Sequence, residues 1–328
     1  MATLQQISKP IESLEREYSN FVRDKISIEF EDSARMLDYI FAHKGKGIRP
    51  MLTLLCSSLF GIKSPEAKER TFLSSMIIEM IHTSSLVHDD IIDDAYLRRG
   101  RPSVNTLWGQ KKAVLIGDYI FTKSYMIGTQ SGHFDLITRL TSVMNDICKG
   151  ELLQDSQTHS LSMSRETYNE IIFGKTASLI SCCCELAAMS NFASDEDISK
   201  MKNLGYNLGM AFQIQDDILD YSKTNSTGKL SCNDLKERKI TLPLLVILER
   251  GDKKLNKQII SKLSTSRKDA KNIDFLYNLV INEGGLDKAK EIMNNYITAS
   301  QDILNTFPES QYKTSLIDLC NFLSQRNH

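Results

Sequence analysis

Apolar residues recur at three- and four-residue intervals along nearly the whole chain, the spacing expected of helices that bury one face. Residues 30–43 place Met36, Ile40 and Phe41 in helical register and break at Gly45, Gly47 and Pro50, a proline suited to the start of the next helix. Residues 67–94 are apolar around most of their circumference, which predicts one long helix surrounded by others. The stretch 95–110 contains Gly100, Pro102 and Asn105 and reads as a loop. Further helices fit 111–130, 134–159, 164–192 and 195–222, with a polar loop at 222–234 and a new helix opened by Pro243. Residues 252–328 divide into shorter, more polar helices. No run of alternating polarity argues for a sheet, and neither a linker nor a repeat interrupts the pattern. It predicts an all-α fold, a single domain over residues 1–328 with about a dozen helices.

Composition narrows the class. The chain has only 6 prolines in 328 residues, which favours long helices, and 41% hydrophobic residues, enough for a sizeable core. Its 40 Lys+Arg against 41 Asp+Glu exclude a broad electrostatic field, and with it a non-specific nucleic-acid binder or a polybasic membrane-surface module. The opening MATLQQISKP lacks the apolar core of a signal peptide, and no apolar run approaches the roughly 18 residues that would span a bilayer. Cys182, Cys183 and Cys184 are contiguous, without the spacing of a zinc site or a disulfide framework, and read as small buried helix residues. A cytoplasmic protein without transmembrane segments is expected.

One feature of the long apolar helix needs a chemical reason. It ends in Asp89-Asp90-Ile91-Ile92-Asp93, where Asp89 and Asp93 share a face. Like charges at that spacing destabilise a helix by about 0.2–0.5 kcal/mol in water, and by more when water is excluded. The same spacing returns in Asp216-Asp217-Ile218-Leu219-Asp220, after another apolar run. One such cluster could be a solvated helix end; two argue for a site of hard divalent cations that also take phosphate oxygens. Cations follow in breaks of the pattern: Arg98 and Arg99 after the first cluster, Lys46 and Arg49 around Gly47, Lys175-Thr176 after Gly174, and Lys229 after Gly228. The GKT at 174–176 is not a P-loop, because the upstream glycine and the strand are missing.

Together these residues resemble the trans-polyprenyl diphosphate synthase family, the head-to-tail isoprenyl diphosphate synthases. GKGIRP (45–50), IHTSSLVHDDIIDDAYLRRGRPSVN (81–105), GKTA (174–177), FQIQDDILDY (212–221), TGKLSCNDLKERKITLPL (227–244) and EGGLDKAKE (283–291) follow the family's motif order over nearly the whole chain. The resemblance implies a helical bundle with a central cavity between long helices. It also implies a homodimer and about three Mg²⁺ per active site. Asp89, Asp93 and Asp216 would hold the metal, with Asp90, Asp217 and Asp220 as acidic support. Lys46, Arg49, His82 and Arg99 would bind isopentenyl diphosphate; Arg98, Lys175, Thr176, Gln213, Lys229 and Lys239 would bind the allylic diphosphate. Two departures stand out. Gly47 replaces a residue that is usually basic, and Cys232-Asn233 and Arg238 replace residues that are usually small. His88 gains no role from the resemblance.

The resemblance also implies that the growing chain runs down the first aspartate helix, away from the metals. Ser84 and Ser85 lie one turn upstream of Asp89, Ile81 two and Ile77 three, at about 5.4 Å per turn. The first aromatic residue is Phe72, 17 positions and roughly 25 Å from Asp89. An open floor predicts a medium- or long-chain product and a peripheral membrane contact for its release. Phe121 or Tyr125 on a facing helix could close that floor and give a short-chain (farnesyl or geranylgeranyl) product. A class I terpene cyclase shares one aspartate motif, but DDILD (216–220) is unlike its second metal motif. A non-catalytic partner subunit would tend to lose one of the two clusters.

Overall fold

Helix ends in this chain are written into the local sequence. Ser64 caps the backbone N–H of Ala67 and Pro65 occupies the first turn, so the helix from Pro65 runs 28 residues to Ile92. The computed structural model describes residues 2–26, 31–42, 45–221, 232–266 and 269–325. Among them the order is α1 (Leu4–Ser8), α2 (Glu12–Lys25), α3 (Glu31–Ala42), α4 (Ile48–Leu59), α5 (Pro65–Ile92), β1 (Leu97–Arg98), β2 (Arg101–Pro102), α6 (Val104–Trp108), α7 (Gln110–Gln130) and α8 (Phe134–Ser160). There follow α9 (Arg165–Ile172), α10 (Ser178–Ser190), α11 (Asp195–Asp220), α12 (Asn233–Lys236), α13 (Leu242–Leu248), α14 (Lys253–Ser264), α15 (Ala270–Asn282), α16 (Gly285–Asn305) and α17 (Gln311–Ser324). The fold is all-α, with one two-residue hairpin.

The centre is α10, which packs against α4, α5, α8 and α11, while α11 also packs against α16. Its side chains from Leu179 to Ala188 are buried almost without exception, the three cysteines completely. Each buried Leu or Ile there contributes about 1.5–3 kcal/mol. Burial also pushes the Cys183 thiol up to about 12, so the triplet is packing material rather than chemistry. Ser74 meets Ser190 at 3.4 Å near the start of α5. Thr176, just before α10, meets Gln213 near the end of α11. α10 therefore runs antiparallel to both aspartate-bearing helices, and both clusters arrive at the same end of the bundle.

Three segments differ from their periodicity. The expected loop 95–110 contains the β1–β2 hairpin and α6. Asn105 anchors it to the end of α5 by donating to the carbonyls of Asp90 (3.2 Å) and Ala95 (3.3 Å). The expected helix 164–192 is interrupted by a π-helical turn, Phe173–Ala177, which apolar spacing does not encode. Of the expected loop 222–234, Asn233 already belongs to α12, and residues 222–231, with Lys229, lie outside the described residues. Arg165–Ser190 is the one described helical stretch long and apolar enough to cross a membrane, and 89% of its most apolar window is buried inside the protein.

Candidate active site

Acidic side chains sit badly at a helix C-terminus, where the backbone carbonyls already concentrate negative charge. Both clusters occupy that position, at the ends of α5 and α11. Asp89 is pushed up to about 6, first by burial and then by Glu151 and Asp93, with Lys175 and Arg98 opposing. Asp90 is buried, and Arg98 grips it: Nε donates to both carboxylate oxygens at 2.7 and 2.8 Å, and Nη2 lies 2.7 Å from Oδ1. Asp93 closes α5 as its C-cap and is exposed.

On α11, Asp217 is buried and also pushed up to about 6 by burial, although the Tyr168 hydroxyl (2.7 Å), Gln213 Nε2 (3.2 Å) and the Leu242 N–H (3.3 Å) all donate to it. Asp220 accepts the backbone N–H groups of Asn233 and Asp234, each at 2.9 Å. Asp216 is half-buried, one helical turn from both Gln213 and Asp220. Asp234 is pushed up to about 8, by burial first and then by Asp217 and Asp220.

The π turn joins the two clusters. It presents Lys175 to Glu151 on α8 (3.1 Å) and Thr176 to Gln213 Oε1 (2.7 Å) on α11. Across the mouth, burial would lower the Lys239 ammonium, but Glu237, 2.6 Å away, together with Asp93 and Asp234, holds it above its ordinary value. Lys175, Gln213, Asp217, Asp234, Arg238 and Lys239 line a cavity of about 110 Å³ between these parts.

A second cavity, of about 370 Å³, is lined by Glu79, His82, Arg98 and Arg99 with apolar walls that include Phe41 and Leu86. Arg98, expected on the allylic side, thus shares a wall with Arg99. The His82 imidazole is held well below its ordinary range by burial and by Arg49, Arg99 and Arg98, so it is neutral at pH 7 and acts as a hydrogen-bonding group rather than a charge. Arg49 is half-buried, its Nε buried without a hydrogen-bond partner among the described residues, and desolvation pulls its guanidinium down while Glu79 works against that. Gly45 lies against the Arg99 guanidinium: a Cβ there would lie 2.4 Å from Nη2, so a side chain at this position would displace it. Gly47 caps α4 in the left-handed region, φ 61°, which explains a glycine where the family usually has a basic residue. Lys46 lies apart, in a third cleft of about 480 Å³ beside α2 and α4 that shares Phe41 and Glu79 with the second cavity.

Below Asp89, Ser84 is buried and donates to the Gly117 carbonyl on α7 at 2.9 Å, while Ser85 is half-buried and bonds back to His82. Ile81 and Ile77 are buried, and Ile77 meets α7 at Gly128. Phe121 and Tyr125 are 39% and 42% exposed within one chain. His88 packs on Gly117 and lies 3.3 Å from Asp118 of α7. Sequence reasoning missed Glu151, Tyr168, Glu79 and Asp234. Glu151 beside a mid-helix glycine and Asp234 within the segment leading to Lys239 were visible signals; Tyr168 and Glu79 were not.

The sequence profile of the polyprenyl synthetase family matches residues 31–280, and the chain belongs to that family. It is 32% identical over 323 residues, 95% of this chain and 98% of the relative, to the short chain isoprenyl diphosphate synthase of Methanothermobacter thermautotrophicus. Its structure resembles the Caulobacter crescentus polyprenyl synthase complexed with calcium and isoprenyl diphosphate, with a TM-score of 0.89 and 27% identity, covering 99% of this chain and 98% of that one. It also resembles the decaprenyl diphosphate synthase of Rhodobacter capsulatus, with a TM-score of 0.91 and 27% identity over 99% and 100% of the two chains. The protein is a prenyltransferase.

Proposed function

We propose that this chain condenses isopentenyl diphosphate with an allylic diphosphate, using Mg²⁺, to give a trans-polyprenyl diphosphate of medium or long chain and free diphosphate. One observation carries the reading: Asp89 and Asp93 at the end of one helix oppose Lys175 and Lys239 from other elements. Among the described residues no group of three or more acidic, His or Cys side chains forms a ready metal cage. Mg²⁺ does not need one: it binds through one or two carboxylates and completes its shell with water and substrate phosphates. Asp89, Asp93 and Asp216 are the ligands we assign, and about three ions would balance two diphosphates. When bound, the metal supplies Lewis-acid stabilisation of the departing diphosphate.

The chain's own groups do the rest. Lys175, Lys239, Thr176 and Gln213 hold the allylic diphosphate, so its carbon–oxygen bond breaks towards preplaced positive charge. Arg49, Arg99 and neutral His82 hold isopentenyl diphosphate with its double bond facing the allylic cation. A proton then leaves, taken up by the released diphosphate. No side-chain nucleophile is needed.

The test is incubation of the purified chain with Mg²⁺, isopentenyl diphosphate and allylic primers of several lengths, with product length read by chromatography. Elongated products support the synthase; hydrocarbons formed without isopentenyl diphosphate favour a cyclase; no turnover of any primer favours a partner subunit. Chain length has its own variant. Ser84 is wedged against α7, so Phe there overpacks two helices, whereas Ser85→Phe projects from a half-buried position. Ser85→Phe should shorten the product; a wild-type product that is already short and unchanged in the variant would place the floor elsewhere. Exposed Leu115, Phe121, Tyr125 and Met126 on α7, with Phe134 and Leu152 on α8, support a homodimer through that face. The reading includes a cytoplasmic location, which seven free cysteines favour, and a peripheral membrane contact for release of a long product.

A further inference from the structure

We propose that Arg238 is an additional diphosphate-binding cation of the allylic pocket, held there at a cost to the backbone. Its φ is 63°, in the left-handed region that side chains other than glycine rarely adopt. The turn is fixed on both sides: the Arg238 N–H donates to the Leu235 carbonyl (3.2 Å) and the Lys239 N–H to the Asp234 carbonyl (2.8 Å). This geometry brings Lys239 round to the site and explains why a small residue is usual there.

The Arg238 side chain lines the cavity shared by Lys175, Lys239, Gln213, Asp217 and Asp234. Its Nε is buried, with no hydrogen-bond partner among the described residues. A guanidinium N–H left unpaired between two lysines lacks an acceptor, and a buried donor without one is unfavourable. An anion with several oxygens satisfies it, and the planar guanidinium can take two of them at once, as an ammonium cannot. Arg99 is a parallel case: it too is left-handed, at φ 53°, and lines the other cation-walled cavity. Relative to the family pattern the chain lacks a cation at Gly47 and gains one at Arg238, which shifts diphosphate affinity towards the allylic side.

This inference rests on the synthase reading, and the experiment separates the two. Wild type, Arg238→Gly and Arg238→Lys are titrated with inorganic pyrophosphate in the presence of Mg²⁺, and KM is measured for each substrate. Arg238→Gly should bind pyrophosphate about tenfold more weakly and raise the allylic KM by a similar factor. The isopentenyl diphosphate KM should stay within about twofold, and melting should rise by about 2–4 °C as the strain is relieved. Arg238→Lys should fall between, because it keeps the charge and loses the fork. Unchanged pyrophosphate binding in Arg238→Gly overturns the proposal, as does a lower melting temperature with unaltered KM values, the mark of a structural arginine. A wild type that neither binds pyrophosphate nor turns over any primer overturns the synthase reading, and this inference with it.

Discussion

At the end of α5 the last aspartate of the cluster, Asp93, is exposed and caps nothing but its own helix; at the end of α11 its counterpart, Asp220, accepts two backbone N–H groups of the segment that leads to Lys239. The middle aspartates diverge as well. Asp90 is neutralised by Arg98, whereas Asp217 is held by three neutral donors and stays uncompensated in charge. Identical spacing thus serves two ends. In the first cluster the outer carboxylates, Asp89 and Asp93, are the candidate ligands; in the second, Asp217 and Asp220 dock the closing segment, and the half-buried Asp216 is the candidate ligand. A repeated motif need not mean repeated roles, because what a carboxylate does is set by the donors the fold brings to it.

The sharpest way to break this asymmetry is to neutralise the last aspartate of each cluster in turn. Asp93→Asn should lower kcat/KM by about a thousandfold, the scale of removing one electrostatic stabiliser of a departing anion. Its melting temperature should not change. Asp220→Asn should cost about 1–3 kcal/mol of stability, since an amide cannot accept both N–H groups as the carboxylate does. Its loss of activity should be smaller. Steady-state kinetics and thermal melts on the same preparations decide the matter: equal losses of activity with no loss of stability in Asp220→Asn would make the two clusters equivalent.

A smaller effect tests the element that joins them. At the crossing of α8 with the π turn, a Cβ on Gly150 would lie 2.9 Å from the Lys175 backbone nitrogen and 3.0 Å from Gly174 Cα. Gly150→Ala must therefore push the turn, at about 1–3 kcal/mol for overpacking. Lys175, facing the first cluster, should move more than Thr176, so the allylic KM should rise about tenfold while the isopentenyl diphosphate KM changes little. Gly205→Ala is the control. It is as crowded, 2.6 Å from Ser181 Cα, but lies away from the site, and should lose stability with both KM values intact.

Much of this was legible in the sequence, for reasons that also mark where legibility stops. Helix α5 could be drawn to within two residues because its long apolar run is a local signal, while Ser64 and Pro65 set the start two residues earlier than that run alone implies. Both clusters stood out because like charges at helical spacing are unfavourable without a cation. Which carboxylate is buried could not be read, since Tyr168 and the Leu242 N–H reach Asp217 from 49 and 25 residues away. The π turn was invisible because apolar spacing does not encode it, and the close approach of Gly150 to Gly174 beside it joins residues 24 positions apart. Lys46 looked like a partner of His82 and Arg99, yet it lines a different cleft. Arg98 looked free for phosphate, yet it holds Asp90. The departures at Gly47 and Arg238 became intelligible only as left-handed backbone positions.

The smallest expected effect concerns pH and separates the clusters by titration rather than by turnover. Asp89 and Asp217, each near 6, and Asp234, near 8, all bind protons more tightly in the folded chain than in the unfolded one, where an aspartate titrates near 4. At these three groups the unfolded state holds fewer protons across that interval, so the stability they contribute is greatest in acid and declines as pH rises through each folded value, while the depressed His82 imidazole works the other way below its ordinary range. Relative to variants that lack these carboxylates, the metal-free protein should lose melting temperature from about pH 4 to about pH 8, by a few degrees. Saturating Mg²⁺ should flatten the decline, because the metal offsets the charges that burial penalises. Asp89→Asn should remove part of the slope below about pH 6, and Asp234→Asn the slope from there to about pH 8. Melting curves over this range, with Mg²⁺ and with a chelator, read both. A slope abolished entirely by Asp89→Asn would mean that the carboxylates around the second cluster are compensated after all, and that its hydrogen bonds, rather than a missing cation, settle their charge.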